Sequence, residues 1–186
     1  FRFRPITGLE VTVEETDGPR HHLTLLAETQ QGYANLCRIS SEAFGLHGDS
    51  SHEEGDTEAA REQRRLDPAL PVAFLEHHAD GIILLTGCRD GLVPKLVQEQ
   101  PDRAEAILHR WVAWFGQQDV FVELQDNLVY GDQPRNRALV DLAQRAGVAV
   151  VGTGDVHYHE PDRHRLQDVL VAIRHRKTLD DSHRER

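Results

Sequence analysis

The chain is predicted to adopt an α/β fold, a parallel sheet or barrel with helices outside. Three observations carry that expectation. Short apolar runs alternate with amphipathic stretches in the order β-β-α-loop-α-β-α-β-α-β-α. The run Val148-Ala-Val-Val151 reads as an interior parallel strand, and Gly152 and Gly154 open the chain after it. Asp155 and His157 then follow, a carboxylate and an imidazole two residues apart. In an extended chain residues at i and i+2 point the same way, so both can converge on one cation. The ends of strands are where α/β proteins usually build their chemistry.

The elements follow in order. Residues 6–13 read as a strand containing Glu10, and residues 22–27 as the next. Their connection, Glu-Glu-Thr-Asp-Gly-Pro, is a turn by composition. A helix starts after Thr29, a plausible N-cap, with Tyr33, Leu36, Cys37 and Ser40 sharing one face. Residues 45–65 are polar, acidic and glycine-bearing, as expected of a flexible loop. Leu70–His78 reads as a short helix and Gly81-Ile-Ile-Leu-Leu-Thr86 as a buried strand. Pro101 or Asp102 opens a helix that carries Ile107, Leu108, Trp111 and Phe115 at helical spacing. Val120–Leu124 is a strand, and Arg135–Ala146 is a helix stopped by Gly147. Pro161 opens a last helix, whose Leu166, Val169, Leu170 and Ile173 form one stripe. No internal repeat or low-complexity segment is visible.

With 186 residues the chain is long enough for one domain with a real core. No apolar run reaches membrane-spanning length, and no signal peptide is visible, so a soluble, cytoplasmic protein without membrane contacts is expected. Cys37 and Cys88 do not make a disulfide framework, which suits a reducing compartment. A net charge of −10 argues against this segment alone as a strong nucleic-acid binder. The chain starts at Phe1 inside a strand-like run and ends at Arg186 in a charged one, as expected of a piece of a longer protein.

Several strands end in polar residues that apolar strands would not supply by chance: Glu10, His22, Cys88 and the Asp155/His157 pair, with Glu123 as a further candidate. Carboxylate, imidazole and thiolate together suit Zn²⁺, or Mn²⁺ and Fe²⁺ with fewer sulfur contacts. Such ions activate water and clamp phosphate. Bland readings stand beside this one. A strand-end Asp or His is often a turn residue or a cap, Cys88 can be a small buried hydrophobe, and Glu123 can pair with an arginine. Cys37 is expected in the core. His21, next to His22, is expected to face solvent, and His159 suits either an outer role at the site or a helix entry. His47, His52, His77, His78, His109, His164, His175 and His183 read as surface residues.

Gly8-Leu-Glu-Val, His22-Leu-Thr-Leu-Leu-Ala-Glu, Gly32-Tyr-Ala-Asn-Leu-Cys-Arg and Leu84-Leu-Thr-Gly-Cys-Arg-Asp-Gly-Leu resemble the PHP (polymerase and histidinol phosphatase) domain. Phe121-Val-Glu-Leu-Gln, Arg135-Asn-Arg-Ala-Leu and Asp155-Val-His-Tyr-His continue the resemblance, narrowing it to the PHP domain of bacterial C-family DNA polymerase alpha subunits. The segment Arg163–Arg186 is similar to the error-prone, damage-tolerance paralogue.

The resemblance implies a partial, distorted seven-stranded α/β barrel over residues 1–186, with residues 175–186 starting the connection to the palm and thumb. It implies metal ligands at Glu10, His22, Cys88, Asp155 and His157, with Glu123 and His159 in outer positions. The ions would be Zn²⁺ or Mn²⁺, with Mg²⁺ in a polymerase site outside this chain. The implied partners are primer–template DNA and replication or repair proteins. The family's opening His-x-His and Asp-His motifs are absent from this stretch, and Gly154 stands where an Asn is usual. The implied function is DNA synthesis by an error-prone polymerase, with 3′-5′ exonuclease or phosphoesterase chemistry in this segment. The alternatives are a non-catalytic interaction module of the polymerase and a free-standing metallophosphatase of the histidinol-phosphatase type.

Overall fold

The computed structural model describes residues 5–16, 18–45, 62 and 67–181. The expected acidic loop falls almost wholly outside them, as do His47, His52 and His183. The chain divides into two compact units, residues 1–153 and 154–186.

The first unit is a six-stranded mixed sheet with helices. Its elements are β1 (Gly8–Glu14), β2 (Arg20–Ala27), α1 (Gln30–Ala43), β3 (Leu70–Pro71), a 3₁₀ helix (Val72–His77), β4 (Ile82–Leu85), α2 (Leu92–Leu96), α3 (Pro101–Phe115), β5 (Val120–Leu124), α4 (Asp132–Ala146) and β6 (Ala149–Gly152). Strand order is β3-β1-β2-β4-β5-β6. The β4-β5-β6 part is parallel, as alternation with helices predicts. The β1-β2 and β2-β4 pairs are antiparallel. The turn between β1 and β2 is too short for a crossover, so the chain must fold straight back. This mixed α/β architecture agrees with a partial barrel of the kind the sequence predicts.

One sheet face carries the core. Val11, Val13, Leu23, Leu25, Ile82, Leu84, Val120 and Val122 point into it, against Leu36, Ile39, Leu108, Trp111, Leu139 and Leu142 of the helices. Trp111 is fully buried at its centre. Burial on this scale, at roughly 25 cal/mol per Å² of apolar surface, is the main force holding helices to sheet.

Local signals placed most helix ends. Thr29 caps α1 by accepting from the Gly32 amide at 3.0 Å. Pro101 opens α3. Gly147 ends α4 in the left-handed region at φ +66°. The buried face of α1 differs from the expected one: Gly32, Asn35, Leu36, Ile39 and Ala43 are inside, while Tyr33 and Cys37 are exposed. A backbone contact sets this rotation. Gly32 lies so close to Gly81 that a Cβ on it would be 1.8 Å from the Gly81 carbonyl oxygen. Asn35 Nδ2 donates to the Asp80 carbonyl at 2.9 Å on the same side.

Other boundaries moved. Leu70–His78 is a two-residue strand followed by a 3₁₀ helix. His78 is half-buried and stacks on Phe74 with ring centroids 4.1 Å apart. The run 148–151, expected as an interior strand, is β6 at one end of the sheet among the described residues, and Val150 is exposed.

In the second unit Pro161–Arg163 is a 3₁₀ turn, and α5 (His164–His175) follows. Its stripe Leu166, Val169, Leu170 and Ile173 is exposed.

Candidate metal centre at the strand ends

The register puts the candidate residues of the first unit on one face. Glu10 lies opposite Thr24, Thr24 opposite Leu85, and Leu85 opposite Phe121. Strand alternation adds His22 and Glu123 to that face. It is the face turned away from the helix-packed core, at the carboxyl ends of β4 and β5. β1 and β2 run antiparallel here, so Glu10 and His22 reach the same region from opposite chain directions.

Glu10 and His22 meet. His22 Nδ1 is 3.3 Å from Glu10 Oε1, and both side chains are more than half exposed. Cys88 is half-buried in the loop after β4. The loop's Gly87, at φ +88°, presses on β2: a Cβ there would lie 2.6 Å from the His22 carbonyl oxygen. That close approach brings the Cys88 segment beside His22. The donor chemistry of carboxylate, imidazole and thiol fits a divalent cation. No three His, Cys, Asp or Glu side chains among the described residues form a ready-made cage.

Glu123 is buried, and it does not pair with an arginine as the bland reading allowed. Its amide donates to Thr86 Oγ1 at 3.0 Å. Its Oε1 accepts from Gln125 Nε2 at 3.0 Å and from Thr153 Oγ1. Gln125 Nε2 also reaches Thr153 Oγ1 at 3.1 Å, and Asn136 Nδ2 donates to the Gln125 carbonyl at 2.9 Å. Thr86, Gln125, Thr153 and Asn136 escaped the sequence reading. The one available signal was a polar pair, Glu123 and Gln125, alternating in an apolar strand.

Asp155 and His157 belong to the second unit. The extended geometry expected of them breaks at Asp155, whose φ is +48°. His157 Nδ1 lies 2.7 Å from the Asp155 carbonyl. Nδ1 is therefore the donor of this bond, and Nε2 is the ring nitrogen left for a cation, the arrangement common in metal-binding histidines. His159 is exposed, 4.0 Å from Glu160.

His21 reverses its expectation. It is 3% exposed, with its ring 6.2 Å from that of Trp111, while its neighbour His22 faces outward. Burial pushes its pKa down, and the Pro19 carbonyl only partly offsets this. Beside the site, Asp132 organises the loop after β5. It accepts from Arg135 Nη2 at 2.6 Å and from the Asn127 and Val129 amides, each at 3.0 Å. The Arg135 hydrogen bond holds its carboxyl below the usual range.

The family model of the PHP domain matches residues 1–127. The chain belongs to the PHP domain family. Metal dependence is general in PHP domains. This PHP domain is similar to the error-prone DNA polymerase of Symbiobacterium thermophilum, 36% identical over 98% of this chain and 16% of the relative. It is similar to DNA polymerase III subunit alpha of Thermus aquaticus, 34% identical over 98% of the chain and 15% of the relative. The error-prone DNA polymerase of Mycolicibacterium paratuberculosis is 34% identical over 94% of the chain and 15% of the relative. The chain thus spans about one sixth of the length of these relatives. The alignments with the first two, at 98% of the chain, run past the family-model match to include Asp155 and His157. Among the described residues no helix is long and apolar enough to cross a membrane.

Proposed function

We infer that this PHP domain is part of a bacterial DNA polymerase of the error-prone or alpha type, and that it binds divalent cations for phosphoester hydrolysis at DNA 3′ ends. The reading makes Glu10, His22, Cys88, Asp155 and His157 the ligands, with Zn²⁺ or Mn²⁺ as the ions. Glu123 and His159 stand in outer positions. The parent enzyme works in the cytoplasm on primer–template DNA with other replication and repair proteins, and Mg²⁺ serves its polymerase site. Residues 175–186 lead toward the palm and thumb.

The observation that supports this best is the gathering of Glu10, His22 and the Cys88 loop at one end of the open sheet face. When bound, the ions supply charge to polarise a phosphate and activate water. The chain's own residues do the rest. Glu10 faces the His22 ring at 3.3 Å, and the Asp155 carbonyl lies 2.7 Å from His157 Nδ1.

The test is metal content of the full-length protein after purification, paired with 3′-end release from a labelled primer. His22→Ala is expected to lower both. Clean protein without Zn or Mn would remove the catalytic reading and leave an interaction module of the polymerase.

A further inference from the structure

The loop between β5 and α4 holds apolar side chains in water. Leu128 is 92% exposed and Tyr130 fully so, with Val129 exposed between them. Leu128 also sits in the left-handed region at φ +61°, a conformation that a leucine adopts only where its surroundings impose it. Here hydrogen bonds impose it. Asp126 Oδ1 accepts from the Leu128 amide at 3.2 Å, and Asp132 Oδ2 from the Asn127 and Val129 amides at 3.0 Å each. The Asp132 amide donates back to the Val129 carbonyl at 3.1 Å. The tip thus has a set shape that turns its apolar side chains outward. Both carboxylates beside it are engaged by its own backbone.

Its place in the fold ties it to the strand-end centre. The loop leaves β5 through Gln125 and rejoins the fold at Asp132, one turn ahead of Arg135 and Asn136 on α4. Gln125, Arg135, Asn136 and Cys88 share the walls of one narrow crevice. Tyr130 is two residues from Asp132, which Arg135 Nη2 meets at 2.6 Å. Its backbone therefore lies at most about 7 Å from the foot of that wall. Among the described residues no other ring or cation stacks on Tyr130.

Three side chains fall far short of the roughly 800 Å² per partner that a stable protein interface buries. One unstacked base needs a single ring, and every base has a face to offer it. We propose that Tyr130 is the platform on which the terminal base of a frayed DNA 3′ end stacks, with Leu128 against its edge. The proposal rests on the reading of this domain as one that acts on DNA 3′ ends. It makes an unpaired end the preferred substrate, because a mismatched or single-stranded base leaves the stack at least cost.

The experiment uses the full-length protein and single-stranded DNA with 2-aminopurine as the 3′-terminal base or at an internal position. Fluorescence quenching is read in chelator, and 3′-end release in Mn²⁺. Tyr130→Ala is expected to reduce quenching of the terminal probe only, and to weaken binding of that end roughly tenfold. It should raise KM for release far more than it lowers kcat. Tyr130→Phe keeps the ring and should restore both. The side chain lies wholly in water, so both variants are expected to fold. Equal terminal quenching and equal KM in Tyr130→Ala and wild type would overturn the proposal, as would Tyr130→Phe behaving like alanine. Altered self-association with binding of the DNA end intact would overturn it in favour of a protein contact. His22→Ala separates the two readings: it should lose release and keep the quenching that depends on Tyr130. If wild type releases no 3′ end while quenching still depends on Tyr130, hydrolysis falls and the platform stands. If release depends on His22 and not on Tyr130, the platform falls and the strand-end centre survives.

Discussion

His22 Nδ1 stands 3.3 Å from Glu10 Oε1 across the antiparallel pair β1-β2, with both side chains largely in water. An exposed pair of this kind adds little to stability. Its position on the open face, beside the Cys88 loop, suits ligand binding better than bracing. Replacing Glu10 by Gln or His22 by Ala should therefore change unfolding free energy by less than about 0.5 kcal/mol. The same changes should lower retained Zn or Mn, read by elemental analysis beside a denaturant titration. A large stability loss without metal loss would contradict the assignment.

His21 is the pH-sensitive group of the core. Its folded pKa lies below the ordinary value because burial disfavours the charged ring. The unfolded chain therefore takes up the proton first as pH falls through about 6.5. Stability should drop from that point and level off below the folded pKa. His21→Gln should flatten this slope between pH 7 and 5, measured by denaturant midpoints.

Asp132 acts in the opposite range. Its carboxyl is depressed, chiefly by the Arg135 hydrogen bond, so its contribution is present above the unfolded pKa near 4. It is lost as pH falls through the lower folded value. Asp132→Asn should remove that acid-range slope. It should also raise amide exchange at Asn127 and Val129, whose N–H groups the carboxylate accepts.

Gly32 tests the seat of α1. Alanine there would put its Cβ 1.8 Å from the Gly81 carbonyl oxygen, a backbone atom that cannot swing aside. The substitution should cost about 3 kcal/mol or more, the upper range for overpacking. Thermal unfolding would show it, and a neutral result would mean that α1 can shift on the sheet.

Signals confined to one turn or one strand were legible from residue order. Thr29 and Pro101 started helices and Gly147 ended one where expected, because caps and proline act on the nearest backbone groups. Glu10, His22, Cys88 and Glu123 were marked by being polar where apolar residues were due. Errors arose where a choice depended on a distant partner. Alternation says that one of His21 and His22 is inside, but not which, and the pairing with β1 and the packing on Trp111 settle it. Tyr33 and Cys37 looked inward by periodicity, yet the Gly32–Gly81 contact turns them out.

Residue order was enough for the α/β class, the run of elements and the family motifs, because hydrophobic period and turn chemistry act over a few neighbours. Packing alone decided the mixed strand directions, the common face of Glu10, His22 and Glu123, and the burial of the Glu123 carboxylate. Those depend on register between strands far apart in the chain, and a register is chosen by which side chains fill the shared core.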